Sequence, residues 1–141
     1  MILCSACLAG VRCRYDGGSK PLQEIGDLLA EGRLIPVCPE QLGGLPTPRC
    51  RMSFRGGGGD AVWRGKAQVV DEEGRDRTEQ MKRGAEEALR LARRTGARRA
   101  ILKEKSPSCG CTLITVDGSL RQGSGVCASL LSREGIVVEG R

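Results

Sequence analysis

Short apolar runs alternate with helix-forming stretches along this chain, and that alternation constrains the fold more than any other feature. Strands are predicted at 1–5, 34–37, 100–103 and 136–139. Helices are predicted at about 21–31 and 126–133, with a longer one between a capping segment at 76–79 and Gly96. Because helical crossovers between parallel strands are right-handed, we expect an α/β fold with strand order two-one-three-four. We expect a single domain over 1–141, with a Rossmann-like or flavodoxin-like parallel sheet flanked by helices.

Three further stretches carry weaker signals. The segment 42–60 is rich in glycine and proline and is predicted as a mobile loop. The segment 62–70 is predicted as a short hairpin or an extended arm. Residues 112–116 are predicted as a further strand that turns at Asp117 and Gly118.

Three cysteines follow three of the predicted strands. Cys7 comes after the first strand, Cys38 directly after the second, and Cys109 after the third by a short loop. Ligands of an open α/β sheet gather outside the carboxyl ends of its strands, so we expect these thiols to converge. Three soft thiolates indicate a metal or an iron–sulfur cluster with one position left open for chemistry.

A closed zinc site is the alternative. Cys7, Cys13, Cys38 and Cys109 would then be four thiolate ligands with a structural role, and residue types alone do not decide between the two centres. The sequence begins with a predicted strand rather than a secretory signal, so we expect a cytoplasmic location. Disulfides are therefore disfavoured for the eight cysteines, because the cytosol is reducing. Cys4 and Cys127 are predicted core thiols. Cys50 and Cys111 have no assigned role.

The charge balance favours an anionic partner. The net charge of +6 suits a nucleotide or a nucleic acid, but aromatic residues make up only 2% of the chain, which makes a single-strand stacking platform the less favoured interpretation. No run approaches the roughly 18 apolar residues of a membrane span. A basic loop set could hold a phosphate or simply be solvated; it comprises Arg12, Arg14, Arg49 and Arg51.

The chain has no histidine, so its acid–base chemistry needs another group. Glu40, two residues after Cys38, is the best candidate for a general acid or base, the alternative being a surface residue or a helix cap. Ser106 and Ser108 flank Pro107 just before Cys109. A hydroxyl there could bond a substrate heteroatom, or could bond its own backbone in a turn.

Three segments of the sequence, taken together, carry a family resemblance. They are Ser-Ala-Cys-Leu at 5–8 with Cys-Arg-Tyr-Asp-Gly at 13–17, Val-Cys-Pro-Glu at 37–40 with Gly-Gly-Leu-Pro-Thr-Pro-Arg at 43–49, and Ser-Pro-Ser-Cys-Gly at 106–110. With these segments the chain resembles the bacterial thiouracil desulfidases, from Ser5 to the Gly-Ser-Gly-Val at 123–126.

The resemblance implies a cofactor, a reaction and a set of site residues. Cys7, Cys38 and Cys109 would hold a [4Fe-4S] cluster, and the remaining iron would take the sulfur of a thiolated uracil. Glu40 maps to the acid/base carboxylate and Ser106 to the family's serine. Water would replace the sulfur at the ring carbon and release hydrogen sulfide with no net redox change.

The sequence therefore predicts a cytoplasmic, iron–sulfur-dependent desulfidase acting on a small molecule. The substrate would be 2- or 4-thiouracil or 4-thio-UMP, because the family includes members that act on bases and members that act on nucleotides. Two other classes stand as alternatives. One is a zinc-thiolate module that binds RNA, and the other is a thiol-based sulfur carrier or redox protein.

Overall fold

The computed structural model describes all 141 residues. Thirteen strands and helices follow one another along the chain, and a 3₁₀ helix (Ala6–Ala9) comes directly after the first strand. The order is β1 (Ile2–Ser5), α1 (Gln23–Ala30), β2 (Leu34–Val37), α2 (Pro39–Leu42), β3 (Met52–Arg55), α3 (Gly59–Trp63), β4 (Gln68–Asp71), α4 (Thr78–Thr95), β5 (Arg99–Leu102), β6 (Leu113–Val116), β7 (Ser119–Gln122), α5 (Val126–Arg133) and β8 (Val137–Gly140).

The first sheet confirms the predicted α/β class and strand order. Its four strands run parallel in the order β2-β1-β5-β8, which is the expected two-one-three-four. β1 is buried along its whole length, as strands covered on both faces of a parallel sheet are. Ile2 and Cys4 point towards the side of α1, whereas Leu3 belongs to the core formed with α4 and α5.

A second sheet replaces the predicted loop and arm, so these two predictions are wrong. Strand β3 and the start of α3 lie within 42–60, and 62–70 holds the end of α3 and part of β4. β3 pairs antiparallel with β4 and parallel with β6, and β6 continues into β7 through the expected turn. Phe54 and Val69 anchor this sheet, since both are almost fully buried. In β3 the buried apolar signal is Phe54 alone, which is too short to stand out between glycine-rich turns.

At most of their ends, the helices differ from the predicted boundaries by one or two residues. α1 begins at Gln23, and α4 begins at Thr78, whose amide N–H donates to the Asp76 carboxylate at 2.8 Å. α5 spans the predicted range. None of the helices combines the length and the apolar character needed to cross a membrane.

Helix α4 fixes the position of the short helix α2, which begins directly after Cys38. Gly84 of α4 lies so close to Pro39 that an added Cβ would overlap the Pro39 carbonyl. The two backbones therefore touch with no side chain between them. This contact ties Cys38 and Glu40 to the longest helix of the fold.

Replacing Gly84 with Ala is expected to destabilise the protein by about 1–3 kcal/mol, the usual range for overpacking a well-packed site. Urea denaturation measures this change. Gly26→Ala is the matched control, because Gly26 is also helical but an added Cβ would meet nothing within 4 Å. The control should be neutral or up to about 1 kcal/mol more stable. Equal stability of the two variants would contradict the close approach of α2 and α4.

Candidate active site and metal centre

A pocket of about 560 Å³ opens at the carboxyl edge of the first sheet. Its lining includes residues that follow β1, β2 and β5, three neighbouring strands of that sheet, and residues of β3, β4 and β6 in the second sheet. Four buried cysteines, none of them in a disulfide, line it together with the predicted acid–base residues; they are Cys7, Cys13, Cys38 and Cys109, with Glu40 and Ser106.

Strand order brings the three predicted ligands to this pocket. Cys7 lies in the 3₁₀ helix after β1, Cys38 lies between β2 and α2, and Cys109 lies in the loop after β5. Because β1 is hydrogen-bonded to both β2 and β5, the three chain segments leave the sheet side by side. The expected convergence of the three cysteines on one cavity is present in the structure.

The thiol of Cys13 acts on the pKa values of two of these cysteines. Its effect, opposed by burial, lowers the pKa of Cys7 to about 7, and it lowers the pKa of Cys38 in the same way. The sulfurs of Cys38 and Cys7 in turn raise the pKa of Cys13 itself. Cys7 and Cys38 are thus the sulfurs most readily deprotonated, and thiolate is the form that binds metal.

Cys109 lies in different surroundings from Cys7 and Cys38. Burial raises the pKa of its thiol well above the ordinary value, with the nearby Cys127 acting in the same direction. A cation bound beside it would reverse this effect, because a coordinating thiol is deprotonated by the metal.

Glu40 is buried beside the thiols, and only 8% of its surface is exposed. One carboxylate oxygen, Oε2, accepts a hydrogen bond from Arg49 Nη2 at 2.8 Å and lies 3.6 Å from the Cys38 sulfur. The other oxygen, Oε1, accepts a short hydrogen bond from the Ser108 hydroxyl. Glu40 is therefore neither a surface residue nor the cap of α2, whose cap position is Cys38.

Two serines extend this network from Glu40. Ser108 is fully buried, and its hydroxyl lies 3.2 Å from that of Ser106. Ser106 lines the pocket, and its oxygen accepts the amide N–H groups of Ser108 and Cys109 at 3.2 and 3.0 Å. Ser106 thus makes the backbone bonds of a turn serine while its hydroxyl remains at the pocket wall.

The start of α5 holds the loop that carries Cys109. Amide N–H groups of Val126 and Cys127 donate to the carbonyls of Pro107 and Ser108 at 2.9 and 2.8 Å. An added Cβ at Gly125 would overlap the Ser108 carbonyl, so glycine is needed for this approach. These amides already have protein acceptors, which makes the glycine segment 123–126 a structural turn.

Sequence reasoning gave Arg49 no role beside Glu40. Arg49 forms a buried ion pair with that carboxylate and also donates to the Cys13 carbonyl at 2.9 Å. Its Nε is buried without a hydrogen-bond partner. Arg49 could have been found through its place in the basic loop set, but nothing in the sequence indicated which acidic residue it would pair with.

Three basic residues, Arg14, Lys103 and Lys105, line the pocket and are called its basic rim below. Lys20 lies near enough to act on Lys103. Burial lowers the pKa of the Lys103 ammonium group, and the positive charges of Arg14, Lys20 and Lys105 act in the same direction. Such a concentration of positive charge favours an anionic ligand at this edge.

The donor set suits a cluster better than a single ion. No group of three or more Cys, Asp or Glu side chains is arranged to hold a single metal ion. A four-iron cluster is wider than an ion and takes thiolates that stand apart around it. Cys7, Cys38 and Cys109 come from three separate chain segments and line the same pocket, which fits that requirement.

Comparisons with known proteins agree with this geometry. The family model of 2-thiouracil desulfurase matches residues 2–140. The chain is 43% identical over 138 residues to the uncharacterized protein YbbK of Bacillus subtilis (strain 168), covering 96% of this chain and 91% of that one. It is also similar to the solved structure of the [4Fe-4S]-dependent thiouracil desulfidase TudS, with a TM-score of 0.86 and 43% identity over 99% of this chain and 89% of that one. The chain belongs to the 2-thiouracil desulfurase family.

Proposed function

We propose that this chain is a [4Fe-4S]-dependent desulfidase that converts a thiolated uracil and water into the uracil and hydrogen sulfide. Cys7, Cys38 and Cys109 would hold the cluster. The observation that carries the proposal is the meeting of these three thiols with a buried carboxylate in one pocket. Membership of the family and the likeness to TudS support it.

The chemistry requires a soft Lewis acid and a proton carrier. When bound, the cluster supplies an iron without a protein ligand, which suits the sulfur of a thiocarbonyl. Glu40 is the proton carrier: it takes a proton from the attacking water and returns one to the departing sulfur or a ring nitrogen. Oxygen replaces sulfur at the same ring carbon, so the substrate gains and loses no electrons.

The neighbours of Glu40 orient it for this role. Arg49 neutralises the buried carboxylate and, through its bond to the Cys13 carbonyl, ties it to the wall that carries the thiols. Ser108 holds the second carboxylate oxygen. Ser106, which reaches the pocket, donates a hydrogen bond to a substrate heteroatom.

We further infer that the preferred substrate is a nucleotide such as 4-thio-UMP. The phosphate would lie against the rim of Arg14, Lys103 and Lys105. Ammonium and guanidinium groups bind phosphate with charge-assisted hydrogen bonds, which are stronger than neutral ones. Long-range attraction to the rim adds to these bonds and weakens as salt screens it.

At low salt, kcat/KM for 4-thio-UMP is expected to exceed that for 4-thiouracil, and the advantage should shrink as salt rises. Lys105→Gln should lower the nucleotide value roughly tenfold, equivalent to about 1.4 kcal/mol, and leave the base value nearly unchanged. Lys66→Gln is the control, because Lys66 is an exposed lysine outside the pocket. Equal rates on base and nucleotide at every ionic strength would identify a site for the base alone.

The proposed activity is tested with protein purified and reconstituted without oxygen. Incubation with 4-thiouracil or 4-thio-UMP should release sulfide and the desulfurised product in equal amounts with no reductant present. Omitting the reconstitution should abolish the reaction. Turnover that needs a reductant, or equal turnover by metal-free protein, would contradict the proposal.

Two broader features accompany this function. We infer a cytoplasmic location, because eight free cysteines suit a reducing compartment. We also infer that residues 1–141 act as one domain, a proposal supported by the family match over 2–140.

A further inference from the structure

The pocket extends beyond the thiols onto the second sheet. Residues of β3, β4 and β6 line it, and none of them has a part in the proposed reaction. A thiolated uracil is a single ring, whereas a cavity of about 560 Å³ lies in the range that takes drug-sized ligands. The part of the pocket on the second sheet is therefore available to a group attached to that ring.

Strand pairing places polar side chains on this part of the pocket. Phe54 of β3 pairs with Val69 of β4 and with Val116 of β6, and all three are buried in the core. Successive side chains of a strand point to opposite faces of the sheet. Ser53 and Thr115, each one residue earlier in its strand, therefore lie side by side on the other face. Both line the pocket.

A carboxylate stands at the end of the same strand pair. Glu72 follows β4 directly, and its amide N–H donates to the Arg51 carbonyl at 3.1 Å. The pairing of β3 with β4 thus continues by one residue, to the position just before β3. Glu72 is exposed and lines the pocket together with Ser53 and Thr115.

These groups are free to bind a ligand. Glu72 has no ion pair, unlike the adjacent Asp71, whose carboxylate pairs with Arg75 at 2.8 Å. The backbone groups of Ser53 and Thr115 pair within the sheet, which leaves their hydroxyls as the unengaged polar groups at these positions. The pocket therefore offers one unpaired acceptor and two hydroxyls that can donate or accept.

The sugar of a ribonucleotide matches this set. Two neighbouring sugar hydroxyls can donate to one carboxylate, which is how an acidic residue recognises ribose in dinucleotide-binding folds. Side-chain hydroxyls can bond the same sugar oxygens. A nucleotide also carries an anionic phosphate next to this neutral diol. A pocket that holds both a free carboxylate and the basic rim suits such a ligand.

We propose that Ser53, Glu72 and Thr115 form a ribose subsite of the pocket. Glu72 accepts hydrogen bonds from the 2′- and 3′-hydroxyls, and the two side-chain hydroxyls bond the sugar oxygens. This inference deepens the proposed function, on which it rests for the identity of the base. It makes the substrate a ribonucleotide in preference to a deoxyribonucleotide.

Binding of the products tests the subsite without turnover. UMP and dUMP share the base and the phosphate and differ only in the 2′-hydroxyl. Isothermal titration calorimetry on the full chain, reconstituted without oxygen, measures the two dissociation constants. UMP should bind roughly tenfold more tightly, which is the effect of one hydrogen bond to a charged group. The ratio of kcat/KM for 4-thio-UMP and 4-thio-dUMP should show the same preference.

Two conservative variants and two controls locate the effect. Glu72→Gln removes the charged acceptor, and Thr115→Val removes a hydroxyl while keeping a shape that strands accept. Each should reduce the preference for UMP roughly threefold or more. Glu73→Gln and Ser119→Ala should keep the parent ratio, because both residues are exposed and neither lines the pocket. If either test variant fails to fold, Ser53→Ala replaces it.

Three results would overturn the subsite. The first is equal binding of UMP and dUMP by the parent protein, or no binding of UMP at millimolar concentration. The second is a preference that persists in Glu72→Gln and Thr115→Val, and the third is an equal fall in the controls. Failure of the proposed function is distinguishable: such a protein would prefer UMP to dUMP but release no sulfide from 4-thio-UMP.

Discussion

Replacing Cys38 with Ser should remove most of the iron from the protein and abolish desulfidation. A serine hydroxyl is a harder and weaker ligand for iron than a thiolate, and Cys38 lines the same pocket as Cys7 and Cys109. The same loss is expected for serine at either of those two positions. Iron analysis after anaerobic reconstitution measures the effect directly, and it separates a lost cluster from a lost proton carrier.

Cys127→Ala is the matched control for this loss. Cys127 is fully buried in the larger apolar core, on helix α5, and does not line the pocket. Removing its sulfur should cost about 1–2 kcal/mol of stability, as small cavities in cores do, and should leave the iron content unchanged. Full iron in Cys38→Ser, or equal iron loss in Cys127→Ala, would contradict the proposed ligand set.

Glu40→Gln should lower turnover roughly 10²–10⁴-fold, the usual contribution of a positioned acid or base. Glutamine keeps the shape and can still accept the bond from Ser108, but it cannot carry a proton. The cluster should remain, because Glu40 is not among its proposed ligands, so the protein should stay brown and still bind thiouracil. Initial rates on reconstituted protein of matched iron content measure the difference.

Two further measurements make this result specific. Glu40→Gln also removes the charge partner of the buried Arg49, so a thermal melt must first establish that the variant is folded at the assay temperature. Ser106→Ala should reduce turnover less, because it removes one hydrogen bond and not the proton carrier. Near-normal turnover in folded, iron-loaded Glu40→Gln would rule out Glu40 as the acid and base.

The first sheet was predictable because its strands are short apolar runs separated by amphipathic helices. β1 is buried at all four positions, so its sequence carries an unbroken apolar signal. The strand order then followed from crossover handedness, and the meeting of the strand-end cysteines followed from the order. Of the second sheet only β6 and its turn were predicted. The other strands were missed because the signal is weak: β3 buries only Phe54, and β7 is exposed at every position.

The contacts within the site were harder to predict than its residues. Glu40 was chosen because the chain lacks histidine, but its bonds to Arg49 and to Ser108 depend on how separate loops meet in the fold. Ser108 lies 68 residues from Glu40 along the chain. Periodicity and spacing report local structure and sheet order, whereas contacts between loops depend on side-chain packing that they do not encode.

Metal and labile-sulfide analysis of the parent protein, purified without oxygen, tests the cluster assignment most directly. We expect a brown protein that holds about four irons and four acid-labile sulfides per chain, the content of a [4Fe-4S] centre. One zinc per chain with no labile sulfide, or a colourless protein that takes up no iron on reconstitution, would contradict it.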